Sequence, residues 1–266
     1  MGKIARLIIV LAMLLGATNT EAAEPDTTVR VNNAFMLQAG SAHRADTYLT
    51  PLHYSGWAVK GAYSHTRAMS RHPFFWTLDI DLTFDRTLNP VRNSEMLGAQ
   101  FEASWRMLWR HSLGHNIEAG AGGATHLQAG ALYLRRNGNN PVAANASWTL
   151  GAAAYAAWHF RLGRMPATAI YNGSLPLVGA MFAPDYGQLY YEIYMGDRKG
   201  LAAAAFPGRY FRYNQQLYLD LKIGPKYLRL GYGLDVASSK VKGIVSRRID
   251  HMFILGLTTD WLTPIR

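Results

Sequence analysis

Tyr186, Gln188, Tyr190, Tyr191 and Glu192 crowd into one short stretch, and Tyr48 and Tyr54 form a second aromatic group far upstream. Tyrosine rings stack on the faces of sugars and similar solutes, while an amide and a carboxylate can fix hydroxyl groups. This set predicts non-covalent capture of a small polar solute. Asp79 and Asp81 are two apart, a spacing that puts both carboxylates on one face of a strand, where they could hold a cation or act as acid and base. Any charged strand face produces such pairs, so the spacing alone does not specify catalysis. His53-Tyr54-Ser55 and the adjacent Ser64-His65 hold a nucleophile and a base, but neither comes with a third group to orient the histidine. Binding or passing a small polar solute, or a structural role in the envelope, is therefore preferred to catalysis, a lipid-modifying enzyme of the deacylase or phospholipase kind is the alternative, and no catalytic residue is assigned. The nine histidines are scattered and cysteine is absent, so neither a metal nor a cofactor is expected. Gly120–Gly123 lacks the downstream helix that a phosphate loop needs.

A period of two positions these residues. In Gln216–Gly224, Leu217, Leu219, Leu221 and Ile223 alternate with Gln216, Tyr218, Asp220 and Lys222. The rule returns after Pro225, where Leu228, Leu230, Tyr232 and Leu234 alternate with Arg229, Gly231, Gly233 and Asp235, and again at Phe253, Leu255 and Leu257. Strands with one greasy face and one charged face suit a wall between lipid and a wet lumen, and so an all-β, closed antiparallel transmembrane barrel. Composition agrees: charged residues make up 17% and aromatics 12% of the chain, where a soluble domain carries about 25% charge. Lys3 and Arg6 precede the apolar run Leu7–Leu15 and small residues to Ala22, which reads as a signal peptide over 1–22 and an outer-membrane barrel domain over 23–266. An exported chain of this kind is expected in the bacterial outer membrane, inserted there by the barrel-assembly machinery. Trp261 followed by Leu262–Arg266 makes an atypical terminal signal for that machinery.

Alternation predicts about ten strands, beginning near Val29, Gly56, Trp76, Leu97, Asn116, Ser147, Ala167, Gln216, Leu228 and Phe253, with twelve possible if Ser174–Met195 hides a hairpin. Short connections at Ser70–Phe74, His111–His115, Gly163–Pro166 and Gly224–Lys226 alternate with long ones at Gly40–Ser55, Arg86–Glu95, Arg135–Asn145, after strand seven, and at Ala237–Ile249. That parity puts the short turns in the periplasm and the long loops outside. The inward positions Lys60, Asp79, Asp81, Glu102, Arg106, Arg161, Asp220, Lys222, Arg229 and Asp235 must meet in a narrow lumen as a charge network, with Asp220 facing Lys222 and Arg229 facing Asp235. Pairing is the condition on which buried charges persist. Whether that lumen is plugged or open to a polar solute is left undecided.

The chain is formally +10. Arg44, Arg86, Arg92, Arg135, Arg136, Arg198, Lys199, Arg209, Lys240, Lys242, Arg247 and Arg248 fall in the expected outer loops, against few acids. At that surface the phosphates of lipopolysaccharide are the expected partner and nucleic acid is not.

Two motifs carry a family resemblance. Tyr48-Leu49, Pro51-Leu52, Tyr54 and Gly56 form one; Pro184, Tyr186-Gly187-Gln188 and Tyr190-Tyr191-Glu192 form the other. Together with the closing strands they resemble an uncharacterised family of outer-membrane barrels of Bacteroidetes-type bacteria, a domain of unknown function. The resemblance implies fold and location over most of the mature chain and implies no activity. The Pro176–Met195 segment stands out as the one that does not read as plain strand.

Overall fold

The computed structural model describes residues 29–258, apart from 70–72, 139, 189 and 198. The expected signal peptide, Arg198 and Trp261 lie outside the described residues. The elements are β1 (Val29–Asp46), β2 (Thr50–Met69), β3 (Phe74–Leu88), β4 (Glu95–Gly114), β5 (Ile117–Leu134), β6 (Val142–Leu162), β7 (Met165–Phe182), α1 (Tyr190–Tyr194), β8 (Ala202–Ala205), β9 (Tyr210–Ile223), β10 (Lys226–Val241) and β11 (Ile244–Thr258). Consecutive long strands pair antiparallel, and β1 pairs with both β2 and β11, which closes the ring. Ten strands form the barrel, and β8 is a short addition on the edge of β7.

The closing strands follow the alternation. Leu219 and Leu221 of β9 lie opposite Leu230 and Leu228 of β10, and Asp220 lies opposite Arg229. Phe35, Leu37, Trp57, Leu82, Phe84, Leu217, Phe253 and Leu255 are exposed on the outer wall, while Lys60, Glu102, Arg212 and Asp220 are buried inside. This is the reverse of a soluble domain, in which apolar side chains line the interior.

One end, here the base, carries both ends of the described chain and the tight turns after β4, β6 and β9. The facing ends of β2 and β3 lie at the base too, and the other end, the mouth, carries the connections after β1, β3, β5, β7 and β10. His115 and Asn116 at the base both have positive φ (51° and 61°), as do Lys242 and Gly243 at the mouth (51° and 79°). Two successive positive-φ residues are the geometry that matches hairpin twist.

At the mouth the expectation needs correcting. The segments Gly40–Ser55 and Ala237–Ile249 are mostly paired strand: β1 runs to Asp46 before β2 resumes at Thr50, and only Lys242 and Gly243 separate β10 from β11. Barrel strands run from 14 to 21 residues, whereas crossing a bilayer takes about 9–11. The surplus forms a collar of paired strands. The longest connection is Ala183–Leu201, which holds α1. Pro176–Phe182 is part of β7, so Ser174–Met195 hides no hairpin.

The interior has an apolar floor that alternation does not predict. Phe75, Leu108, Tyr155, Ile170 and Tyr218 are buried in one cluster, and the Phe75 and Tyr155 rings meet edge-on with centroids 5.0 Å apart. A second cluster, Leu49, Tyr54, Met96, Leu132, Leu134 and Ala143, packs inside the collar with Tyr48 against it.

Candidate functional site

The lumen charges form a chain of ion pairs. Arg212 is the hub: its guanidinium donates to Glu102 at 2.6 Å and to Asp235 at 2.6 Å. Arg248 also donates to Asp235, at 3.0 Å. Arg44 bridges Asp250 at 2.5 Å and Asp85 at 2.8 Å. Lower down, Arg106 holds Asp79 at 2.8 Å, and Lys60 lies 4.0 Å from Asp81. Nearest the floor, Arg229 grips Asp220 through two bonds of 2.8 Å and lies over the Tyr218 ring at 4.4 Å. Arg110 pairs with Glu118 at 3.4 Å and lies over Phe75 at 5.9 Å. Forked guanidinium–carboxylate contacts of this kind fix orientation as well as charge.

Eight of the ten expected network residues meet in this way. Lys222 and Arg161 do not: both are exposed near the base, at the ends of their strands. The partners also differ from expectation. Asp220 takes Arg229, its cross-strand neighbour, and Asp235 takes Arg212 and Arg248. Arg44 and Arg248 turn inward, which corrects their assignment to basic loops. Because the strands continue to the collar tips, residue parity still decides which way these side chains point. Arg212, Arg110 and Asp250 were legible as inward positions by counting in twos from Asp220, Arg106 and Met252.

The pairs divide the remaining lumen space. A cavity of about 40 Å³ lies among Asn32, Thr77, Tyr155 and Arg229. Another of about 20 Å³ lies among Asp79, Asp81, Glu102 and His126. The largest interior space, about 130 Å³, is at the mouth. Its walls include Arg44, Tyr48, Asp85, Gln128, Asn145, Phe182, Tyr190, Tyr210 and Arg248. Asp85 Oδ1, Asn145 Oδ1 and Arg248 Nε are buried there without a hydrogen bond. Two acceptors and a donor thus border a single space, although buried polar groups are normally satisfied. Gly98, opposite Asp85, leaves room for that carboxylate, since a Cβ there would collide with it.

Only two of the seven expected ligand-contacting residues border this cavity. Tyr48 and Tyr190 meet edge-on with centroids 5.9 Å apart. The Tyr190 hydroxyl accepts from the Ala144 amide at 2.6 Å, and burial pushes its pKa up to about 12. Tyr48 donates to the Gln188 carbonyl at 2.8 Å, which pins the long connection over the mouth. Tyr54 is buried in the collar and donates to Ser94 Oγ at 3.1 Å. Gln188 is also buried, and its amide holds the connection together through the Asp185 amide (3.1 Å) and Asp197 (3.4 Å). Tyr186, Tyr191 and Glu192 are exposed. The helical turn explains the split: Tyr190 faces in, so its neighbours Tyr191 and Glu192 face elsewhere.

His53 and Ser55 lie exposed on the outer face of β2, with Tyr54 pointing inward between them. Ser64 is buried inside while His65 faces out, its Nδ1 2.8 Å from Asn33 Oδ1. That serine and histidine cannot act on one substrate group. Among the described residues no three His, Asp or Glu side chains converge as metal ligands.

Fold and site together define a small closed β-barrel with a charge-paired lumen and one cavity at its mouth. The chain belongs to the DUF3316 family, described as proteins of unknown function, whose model matches residues 6–263. No curated protein matches it. Among solved structures it is similar to the translocator domain of the autotransporter NalP from Neisseria meningitidis, at 7% identity and TM-score 0.36, covering 97% of this chain and 94% of that one. The β domain of the Bordetella autotransporter Brka gives 9% identity and TM-score 0.41, over 87% and 99%. The COG4313 outer membrane channel from Pseudomonas putida F1 gives 12% and 0.34, over 91% and 98%. Likenesses this loose bear on neither ligand nor activity.

Proposed function

We propose that this chain is a non-enzymatic barrel of the bacterial outer membrane that holds a small polar solute in its mouth, above a lumen closed by ion pairs. The observation that carries the reading is the mouth cavity, where Asp85 Oδ1, Asn145 Oδ1 and Arg248 Nε lack hydrogen bonds beside two tyrosine rings. A neutral polyol or sugar offers hydroxyls that both donate and accept, and an apolar face for the rings. The space, about 130 Å³, is of the order that takes one six-membered ring. The exposed apolar belt and the aromatic pairs near the base, Phe74 with Trp109 and Trp158 with Phe160, support a bilayer setting with the base in the periplasm.

At the outer surface, Arg92, Arg136, Arg209, Lys240 and Arg247 are exposed and would contact lipopolysaccharide phosphates. Arg86 and Arg135 are less available, since they share Glu95 at 2.7 and 3.6 Å. Lys242 is held by Asp185 at 3.1 Å. A lipid-modifying activity at His53 and Ser55 is the weaker reading, because no orienting group accompanies them.

Calorimetry with glucose as the probe tests the binding site. Saturable binding that weakens at least tenfold in Asn145→Leu is expected; no saturable binding of glucose or glycerol would remove the reading.

A further inference from the structure

The ring of ladder bonds is incomplete on one side of the barrel. β7 pairs with β9 only from Ala167 to Ser174. Higher up, Gly179–Phe182 of β7 pair instead with β8. Tyr210–Tyr213 at the top of β9 pair with β10 and make no ladder pair with β7; the Tyr210 amide turns back to the Phe206 carbonyl at 2.9 Å, and the Tyr213 hydroxyl meets that of Tyr171 at 2.8 Å. Leu175–Val178 therefore face β9 across a break in the outer half of the wall.

The sequence builds this break from both banks. Pro176 sits in β7 and Pro207 in the turn joining β8 to β9, and a proline cannot donate to a ladder. The chain spends eight residues between Ala205 and Asn214 while the opposite strand spends four between Gly179 and Ser174, so the excess must leave the ladder. On the β6 side the register also shifts at Leu150 and Gly151, opposite Leu177. Gly151 is required there, because a Cβ would collide with the Leu175 carbonyl.

Side chains around the break are apolar and point outward: Leu175, Leu177, Val178, Phe206 and Phe211 are all exposed. The mouth cavity reaches the upper end of the break, where Tyr210 of β9 lines it together with Met181 and Phe182 from the β8-paired part of β7 just above. In hydrocarbon, unpaired backbone is tolerated only where it borders protein or a cavity, and the upper end of this break meets the mouth cavity at Tyr210.

We propose that the break is a side entrance to the mouth cavity, and that the ligand is an amphiphile with a neutral polar head in the cavity and an alkyl tail in the break. This rests on the mouth-binding reading and narrows its ligand class. A sugar or polyol head meets Asp85 Oδ1 and Asn145 Oδ1, which make no hydrogen bond, and the tail passes out between Val178 and Phe211. Arg209, held over the Phe206 ring at 5.3 Å, flanks the opening on its outer side.

The test uses the barrel in phosphatidylcholine nanodiscs, with glucose, butyl glucoside and hexyl glucoside as probes and empty nanodiscs as the partition control. Binding should tighten along the series, by tenfold or more from glucose to hexyl glucoside. The chain has no cysteine, so Val178→Cys with Phe211→Cys can be bridged cleanly by a bis-maleimide. Bridging should abolish the gain from the tail and leave glucose binding unchanged. If glucose binds and the tail adds nothing, the side entrance is wrong and the mouth site stands. If glucose and glycerol fail to bind while hexyl glucoside does, the small-solute reading falls and the side entrance stands alone. If no probe binds, both fall. Should the bridged protein not form a heat-stable barrel, Val178→Glu replaces it: a charge at the entrance should produce the same loss, and hexyl glucoside binding unchanged in that variant overturns the proposal.

Discussion

The floor and the mouth of the lumen are made from the same groups and arrive at opposite states. At the floor, Arg229 spends its fork on Asp220 and its face on Tyr218, and the neighbouring space is about 40 Å³. At the mouth, Arg44 also grips two carboxylates, yet the adjoining space is about 130 Å³ and Asp85 Oδ1 and Asn145 Oδ1 make no hydrogen bond. The difference is what fills the gaps between pairs. Phe75, Leu108, Tyr155 and Tyr218 close the floor, whereas the inward positions Gly98, Ala143, Ala237 and Ser239 leave the mouth wide. Ion pairs are a core in one place and the lining of a site in the other.

The comparison breaks most severely at Arg212, the link between the two regions. Arg212→Ala strips Glu102 of its arginine and leaves Asp235 with Arg248 alone, and should destabilise the barrel by about 3–5 kcal/mol. Urea unfolding in detergent, followed by tryptophan fluorescence, measures it; a loss below 1 kcal/mol would show that the hub is not structural. Next in size is the floor pair. Arg229→Ala alone should cost several kcal/mol, while Arg229→Met with Asp220→Leu should restore most of it, since burying neither charge avoids their desolvation. Equal losses in the single and double variants would contradict the view of this pair as plain core.

Conductance sharpens the comparison further. The wild-type barrel should pass no steps of current in planar bilayers, because three separate cavities are divided by ion pairs. The double variant Arg212→Ala and Glu102→Ala should show openings. Current through the wild type would overturn the closed lumen.

A smaller effect belongs to the mouth alone. Tyr190 has its folded-state pKa raised to about 12 by burial, above the ordinary value of about 10. Its neutral form is favoured when docked, so docking is fully stable below pH 10 and weakens as pH rises from 10 towards 12. A spin label at Tyr194→Cys should grow more mobile across that window, and Tyr190→Phe should keep it immobile; a flat response in the wild type counts against the docking. The smallest change is expected at Lys222 and Arg161, which face solvent at the base. Alanine there should alter stability by no more than about 0.5 kcal/mol.

Much of this was legible from residue type and parity. Alternation in β3, β4, β9 and β10 determined the closed barrel and which side each charge takes. It reached even Arg44 and Arg248, had the strands been followed to the collar tips. Hairpin loops looked long there because collar strands above an apolar belt lose their greasy face, and polarity on both faces reads as loop. Lys222 and Arg161 were misplaced for a related reason: parity points a side chain inward, but at the end of a strand there is no longer a lumen to enter.

Which charges pair is a different kind of question. Asp220 takes Arg229 and not Lys222 because partners sit across strands, and register is set by turns and closure rather than by spacing along one strand. The Tyr186–Glu192 group divides because five residues of helix scatter side chains that a strand would have sorted. The side break was half visible as Pro176 and Pro207, whose missing amides are a sequence fact. That they lie on facing banks of one break was decided only when β7, β8 and β9 met. The sequence by itself determined an inside and an outside, since period and polarity are local. The tertiary structure alone decided partners, cavities and openings, since those depend on which distant strands the closure of the ring brings together.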